Sequence, residues 1–163
     1  MKQKYTSQRL ELSRLSLSDS EFIQQLVNTP GWLKFIGERN VKSIAMAIEY
    51  VDKIIQNPIL YYWTVRYNDI PIGIITIIQR DYLPLQDFGF AFLPQYEKQG
   101  FAFEAATAVL NDFKTIENHP ELLATTVPAN ENSIRLLEKL GFGLKEKIVA
   151  NDVPLLLYKL NDD

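Results

Sequence analysis

The segment from Leu93 to Ala102 carries residue types and a spacing that suit anion binding. A strand-like run ends at Leu93-Pro94, and a stretch with helical periodicity begins at Gly100. The first amides of a helix have no internal acceptor and lie at the positive end of its dipole, so they attract phosphate. Gly100 lets a phosphate approach the backbone, and Lys98 adds positive charge. The segment predicts an anion site, although a purely structural loop has the same pattern.

A second segment, Asn130 to Phe142, begins with polar residues and continues at helical spacing. Asn130 and Ser133 open it, and Gly141-Phe142 ends it, as glycine commonly ends a helix. Asparagine is a good N-cap, so capping alone explains Asn130. A hydrogen bond from the same side chain to a ligand is compatible with that role.

The elements around these segments predict an α+β fold in the order β-α-α-β-β-β-α-β-α-β-β. Helices are expected from Ser18, from Ser43 to Ile55, from Gly100 to Ile116 and from Asn130 to Leu140. Pro30-Gly31 is interpreted as a break between the first two helices. The strands expected are Leu10 to Leu17, Tyr61 to Tyr67, Ile70 to Ile78, Gln86 to Leu93, Leu122 to Val127, Phe142 to Val149 and Val153 to Leu160. Asn68-Asp69 and Asn151-Asp152 predict hairpin turns. About seven strands therefore form a mixed sheet with helices on both faces.

Composition limits the classes of function. A length of 163 residues favours one domain spanning 1–163. The net charge of −3 argues against nucleic acid as a partner, and the absence of cysteine excludes thiolate catalysis. A single histidine, His119, expected in a surface loop, argues against a histidine-rich metal site, so no metal is expected. The polar start and the short apolar run from Ile70 to Ile78 predict a cytoplasmic protein without a membrane span.

Both segments resemble the GCN5-related N-acetyltransferase (GNAT) family, in the branch of the ribosomal-protein N-terminal acetyltransferases RimJ and RimL. That family carries Gln/Arg-x-x-Gly-x-Gly/Ala where this chain has Glu97-Lys98-Gln99-Gly100-Phe101-Ala102. Glu97 departs from the pattern, whereas Gly100 and Ala102 match it. The family's second motif, Asn-x-x-Ser/Ala before a helix that ends in Gly-Phe, matches Asn130 to Phe142, and Thr6 to Leu12 resembles the branch's first strand.

The resemblance implies the acyl-CoA N-acyltransferase fold, a mostly antiparallel sheet that splays into a V between the fourth and fifth strands. It implies an enzyme that transfers an acetyl group from acetyl-CoA to a primary amine by direct attack in a ternary complex. A catalytically weak coenzyme A sensor or interaction module is the alternative. The implied coenzyme A contacts are Phe90, Ala91, Phe92, Lys98, Gln99, Gly100, Phe101, Ala102, Asn130 and Ser133. The side chains of Phe88, Phe90 and Phe92 are expected to form core and wall.

Residues at two positions near the expected cleft supply the candidate catalytic groups. Asp87 lies on the strand that lines the expected cleft and is the candidate general base, directly or through water, with a structural hydrogen bond as the alternative role. Many relatives have a tyrosine where this chain has Leu137. Ser133, or a water held by Asn130, is therefore the candidate acid that protonates the leaving thiolate.

The amine acceptor is expected beside the two N-terminal helices. Trp32, Phe35 and Arg39 are candidate lining residues, and Glu38 could attract a cationic amine. A protein N-terminus, a polyamine and an amino acid all agree with these residues. A homodimer is expected through edge strands at the C-terminal end.

Overall fold

The structure is a computed structural model in which residues 1–117 and 120–161 are described. His119, expected in a surface loop, lies outside these ranges.

One sheet organises the described residues. It has eight strands in the order β1-β2-β3-β4-β5-β6-β8-β7. The strands are β1 Lys4–Thr6, β2 Leu10–Arg14, β3 Tyr61–Tyr67, β4 Ile70–Gln79, β5 Gln86–Phe92, β6 Leu123–Thr126, β7 Phe142–Ala150 and β8 Val153–Leu160. Each neighbouring pair is antiparallel except β5 and β6, which are parallel. The predicted mixed, mostly antiparallel sheet is confirmed. β1 was not predicted, because three residues are too few to show a periodicity.

Five α-helices cover the described part of the sheet: α1 Ser20–Val27, α2 Pro30–Phe35, α3 Ile44–Ile55, α4 Phe101–Lys114 and α5 Glu131–Lys139. The interpretation of Pro30-Gly31 as a break was wrong, because these residues begin α2. Pro30 occupies the first turn, where its missing N–H costs no hydrogen bond, and the Thr29 side chain accepts from the Trp32 amide at 3.4 Å. This extra helix brings Trp32 into the core, with 7% of its surface exposed.

The helices lie on both faces of the sheet. α4 and α5 pack on one face, where Phe88 joins Val109 and Leu137 in the larger hydrophobic core. α1, α2 and α3 pack on the other face, where Leu26, Trp32 and Val51 surround Ile74 of β4 and Leu93 after β5. We call these the donor face and the acceptor face, after the sides on which acetyl-CoA and the amine are expected from the sequence.

Two hairpin turns set the strand pairing next to them, and a β-bulge further along each hairpin shifts the register, between Val65 and Arg66 and between Leu144 and Glu146. Asn68 and Asp69 have φ of 49° and 64°, and Asn151 and Asp152 have φ of 49° and 63°. Two successive left-handed residues form the type I′ turn that suits the twist of a hairpin. Both predicted turns are therefore confirmed, and they join β3 to β4 and β7 to β8.

The sheet separates between β5 and β6. β4 and β5 pair continuously from Gly73 opposite Phe92 to Gln79 opposite Gln86. Among the described residues, β5 and β6 pair only at Asp87 and Leu123. Beyond Asp87 the two strands diverge. This is the splay expected between the fourth and fifth strands of the sequence-based count, in which β1 was missing.

Candidate active site

A cleft of about 130 Å³ lies where β5 and β6 separate. It is lined from both faces of the sheet, with Asn130, Ser133 and Leu137 from the α5 region and Trp32, Phe35 and Arg39 from the α2 region. Eight of the residues proposed from the sequence line it: Trp32, Phe35, Arg39, Asp87, Phe90, Ala91, Asn130 and Ser133. Residues remote in sequence thus converge at one place.

Side chains of β5 alternate between the two faces. Ala91 packs against the acceptor-face core, whereas Phe88 is buried in the donor-face core and Phe90 and Phe92 pack against it. The expectation that these phenylalanines form core and wall is confirmed. Asp87 lies four residues before Ala91, and residues an even number apart in a strand share a face, so the Asp87 side chain lies on the acceptor face.

The backbone of β5 after Asp87 has no strand partner on its β6 side within the described residues. Its other edge is bound to β4 as far as Phe92. The backbone groups of Phe90 to Phe92 that face the splay are therefore free to pair with an extended ligand arm, which would act as an additional strand.

The predicted anion site lies at the start of α4, outside the residues that line the cleft. Gly100 is the N-cap of α4 with φ 79°, and Lys98 also has a positive φ of 58°. Left-handed residues in such a turn aim successive amides toward one point. In the described part of the chain, no acceptor binds the amides of Phe101, Ala102 and Phe103. These features fit a pyrophosphate group.

Arg9 binds residues at the start of α4, a role that the sequence did not indicate. The Arg9 Nε atom lies 2.7 Å from Glu104 Oε2, and Arg9 Nη1 donates to the Gln99 carbonyl at 3.2 Å. The Ser7 hydroxyl also donates to Glu104, at 2.6 Å. Glu104 therefore directs its charge toward Arg9 and Ser7, although it lies in the first turn of α4. Glu97, the departure from the family pattern, is exposed.

Asn130 caps α5, as the sequence predicted. Its Oδ1 atom accepts a hydrogen bond from the Ser133 amide at 3.2 Å. Because Asn130 and Ser133 also line the cleft, the cap holds both polar side chains at its wall. Leu137, one turn further along, is 1% exposed and adds an apolar contact to the same wall.

Asp87 is buried and paired. Its Oδ2 atom lies 2.9 Å from Arg80 Nε, and its Oδ1 atom accepts from the Thr125 hydroxyl at 3.3 Å. Burial raises the pKa of the Asp87 carboxyl, and the Arg80 guanidinium opposes that rise. The carboxyl group lines the cleft, and each of its two oxygens accepts a hydrogen bond.

The acceptor-face wall of the cleft is aromatic and basic. The guanidinium carbon of Arg39 lies 5.7 Å from the ring centroid of Trp32, and Tyr50 and Tyr62 line the same wall. Burial raises the pKa of Tyr62 to about 12, so its phenol is neutral at pH 7. Glu38 is not among the lining residues. It is exposed and binds Lys42 at 3.1 Å and the Asn40 amide at 2.7 Å.

Sequence reasoning missed several residues that line the cleft: Tyr50, Tyr62, Arg80 and Thr125. Tyr62 lies opposite Thr76, which lies opposite Gly89 of β5. A β-bulge between Val65 and Arg66 shifts the register of β3 against β4, so alignment of these strands by the Asn68-Asp69 turn alone would have placed Tyr62 on the wrong face of the sheet. No local pattern signals Arg80 or Thr125.

In residues 1–117 and 120–161, no group of three or more histidine, aspartate or glutamate side chains could hold a metal ion. Within the same ranges, no helix has the length and apolar character needed to cross a membrane.

Comparison with known proteins agrees with this geometry. Residues 9–143 match the family model of the acetyltransferase (GNAT) domain. The N-acetyltransferase YnaD of Bacillus subtilis (strain 168) is 28% identical over 138 residues, which cover 83% of this chain and 80% of YnaD. Spermidine N(1)-acetyltransferase of Escherichia coli (strain K12) is 21% identical over 141 residues, covering 86% of this chain and 76% of that protein.

A solved structure shows the same fold. The ribosomal-protein-S5-alanine acetyltransferase from Vibrio fischeri superposes with a TM-score of 0.82 at 15% identity, covering 98% of this chain and 97% of that one. The family-model match extends over most of the sequence, from Arg9 directly before β2 to Gly143 in β7. The chain is therefore a member of the GNAT family and an N-acetyltransferase.

Proposed function

We propose that the chain transfers the acetyl group of acetyl-CoA to a primary amine by direct attack within a ternary complex. This proposal rests on one observation: residues from both faces of the sheet line the cleft where β5 and β6 separate. A donor held on the α4 and α5 side and an acceptor held on the α2 side would meet there. Holding two reactants in this way lowers the barrier because the encounter is no longer bimolecular.

The donor site is proposed along β5 and at the start of α4. The amides between Lys98 and Ala102 would bind the pyrophosphate, supported by the left-handed Lys98 and Gly100. The free backbone edge of Phe90 to Phe92 would bind the pantetheine arm, and an amide there would polarise the thioester carbonyl. Asn130 and Ser133 would contact the donor from α5.

The reaction requires two proton movements. A bond forms between the acceptor nitrogen and the acetyl carbon, and the C–S bond breaks, so one proton must leave the amine and one must reach the sulfur. Asp87 is the proposed base, directly or through water, because it is the carboxylate that lines the cleft. Ser133, or a water held by Asn130, is the proposed acid, since the apolar Leu137 cannot supply a proton.

Two measurements test this proposal in order. A ligand that binds only the folded state raises the melting temperature, so coenzyme A and acetyl-CoA should each increase Tm. Release of free thiol from acetyl-CoA with a panel of primary amines should then demonstrate turnover. Failure of both donors to raise Tm would refute the proposal. Full turnover of Ser133→Ala at saturating substrate would exclude Ser133 as the acid.

The apolar Leu137 at the cleft wall favours a second candidate, a coenzyme A sensor with weak catalysis. A sensor would show the rise in Tm without amine-dependent thiol release.

A cytoplasmic location and a homodimer through the edge strands are further proposals, and size-exclusion chromatography with light scattering tests the dimer.

A further inference from the structure

We propose that the amine acceptor carries a carboxylate, which the Trp32 indole N–H and the Arg39 guanidinium bind at the acceptor-face wall of the cleft. The acceptor class is then a small amino acid with an apolar side chain. This inference rests on the proposed function and specifies its acceptor.

Trp32 supplies a hydrogen-bond donor without a partner. The residue is 7% exposed and lines the cleft, and its Nε1 atom finds no acceptor within the described residues. Tryptophan N–H groups usually bind an acceptor when they are buried, because an unpaired polar group loses its hydration without compensation. The Nε1 atom is closed to solvent in this structure, so an oxygen of the acceptor would satisfy this donor only with a shift of the surrounding side chains on binding.

Arg39 supplies a positive charge that no carboxylate of the described residues balances. Its guanidinium carbon lies 5.7 Å from the Trp32 ring centroid, and its Nη1 atom donates a long hydrogen bond of 3.5 Å to the Gly37 carbonyl. The other arginine of the cleft, Arg80, is already paired with Asp87 at 2.9 Å. The uncompensated charge therefore lies beside Trp32, where an anion would meet a cation and an N–H donor together.

The same charges disfavour a polyamine. Among the described residues that line the cleft, Asp87 is the one carboxylate, and Arg80 neutralises it. Glu38 does not line the cleft and pairs with Lys42. Spermidine, the substrate in the name of one relative, is polycationic and would approach Arg39 without acidic residues to bind it.

The rest of the wall indicates an apolar body for the acceptor. Phe35, Ile36, Tyr50, Tyr62 and Ile74 line it together with Trp32. An aromatic or branched side chain would contact these groups, while the amine points toward Asp87 and the carboxylate toward Arg39. Phenylalanine and leucine have this arrangement of groups and serve as probes.

Paired substrates test the inference. Thiol release from acetyl-CoA is measured with L-phenylalanine against phenethylamine, and with L-leucine against isopentylamine, because each pair differs only in the carboxylate. We expect kcat/KM to be at least about tenfold higher for the amino acids, because the decarboxylated amines cannot form a charge-assisted hydrogen bond with Arg39. Arg39→Gln should abolish this preference by raising KM for the amino acids. Trp32→Phe keeps an aromatic ring, removes the N–H, and should reduce the preference in the same direction.

Lys34→Gln is the matched control, since it removes a positive charge from α2, the helix that carries Trp32, at a residue that does not line the cleft. It should leave the preference unchanged. Equal or faster turnover of the decarboxylated amines or of spermidine would overturn the inference while leaving the proposed function intact. So would an equal effect of Arg39→Gln on both members of each pair. No thiol release with any amine would overturn the proposed function and this inference with it.

Discussion

Arg80 and Asp87 form an ion pair with 2.9 Å between Nε and Oδ2, at the point where β5 leaves β6. Arg80 directly follows β4 and Asp87 is the second residue of β5, so the β4–β5 hairpin itself holds the pair. Asp87 also accepts from Thr125 of β6 at 3.3 Å. The carboxylate thus links three strands at the vertex of the splay and lines the cleft that opens from it.

Asp87→Asn should lower kcat/KM by about a hundredfold if Asp87 is the base, since general base catalysis typically contributes that much. A base acts when ionised, so wild-type kcat/KM should rise with pH through the pKa of Asp87, which burial raises. The variant should lose this acidic limb, which a pH profile of initial rates measures. Stability should also fall by about 2 kcal/mol, because the Arg80 guanidinium loses a charged hydrogen-bond partner.

An unchanged pH profile in Asp87→Asn, with kcat reduced in proportion to the fraction of unfolded protein, would contradict the base assignment. Asp87 would then be a positioning residue that holds Arg80 and Thr125 at the vertex. Thr125→Val is the comparison variant, because it removes one hydrogen bond to Asp87 and leaves the carboxylate in place.

Gly100→Ala should weaken coenzyme A binding by about tenfold. Gly100 has φ 79°, and a Cβ there would lie 3.4 Å from Arg9 Nη2 and beside the free amides of α4. A left-handed alanine costs about 1–2 kcal/mol of stability as well. Gly141→Ala is the control, since Gly141 has φ 92° and an added Cβ would contact nothing. Equal affinities in the two variants, by calorimetric titration with coenzyme A, would exclude the Gly100 loop as the phosphate site.

Stability should depend on pH through Glu104. Burial acts to raise the pKa of Glu104, but hydrogen bonds from Ser7 and Arg9 outweigh it, so the pKa lies below its usual range. A lowered folded-state pKa contributes stability that is present above the unfolded-state pKa of about 4.3 and is lost as pH falls through the folded-state pKa. Glu104→Gln should remove this dependence below about pH 5.

Chemical unfolding at several pH values measures that effect. Glu97→Gln is the control for Glu104→Gln, because Glu97 is an exposed carboxylate in the same loop region. A pH dependence that survives Glu104→Gln but disappears in Glu97→Gln would refute the assignment.

Gly73→Ala should destabilise the sheet by about 1–3 kcal/mol. A Cβ at Gly73 would lie 2.4 Å from Cδ1 of Phe92, which faces it across β4 and β5. Gly31→Ala, in α2, meets nothing within 4 Å and should be neutral or stabilising by up to about 1 kcal/mol. Urea denaturation compares the two variants, and equal midpoints would show that Phe92 moves away at no cost.

Features that depend on a few neighbouring residues were predictable from the sequence. Ser43 caps α3 by accepting from the Met46 amide at 3.2 Å, and Asn130 caps α5 in the same way. Periodicity placed α3 but not its buried stripe: Ala47, Val51 and Ile54 are buried, whereas Ile44, Ile48 and Ile55 are more than 40% exposed. A helix can bury only the stripe that faces its neighbour, and the sequence names no neighbour.

The sequence by itself determined the helix caps, the hairpin turns and the local structure of the segments at Gly100 and Asn130, because each is built from contacts within about four residues. Only the tertiary structure decided which residues meet at the cleft and at the start of α4. Arg9 reaches Glu104 across 95 residues at the start of α4, and Thr125 reaches Asp87 across 38 residues at the cleft. The packing of α2 and of the residues that follow it brings Trp32 and Arg39 to the same cleft. Such contacts depend on strand register, and a shift of one residue would turn Asp87 to the other face of the sheet.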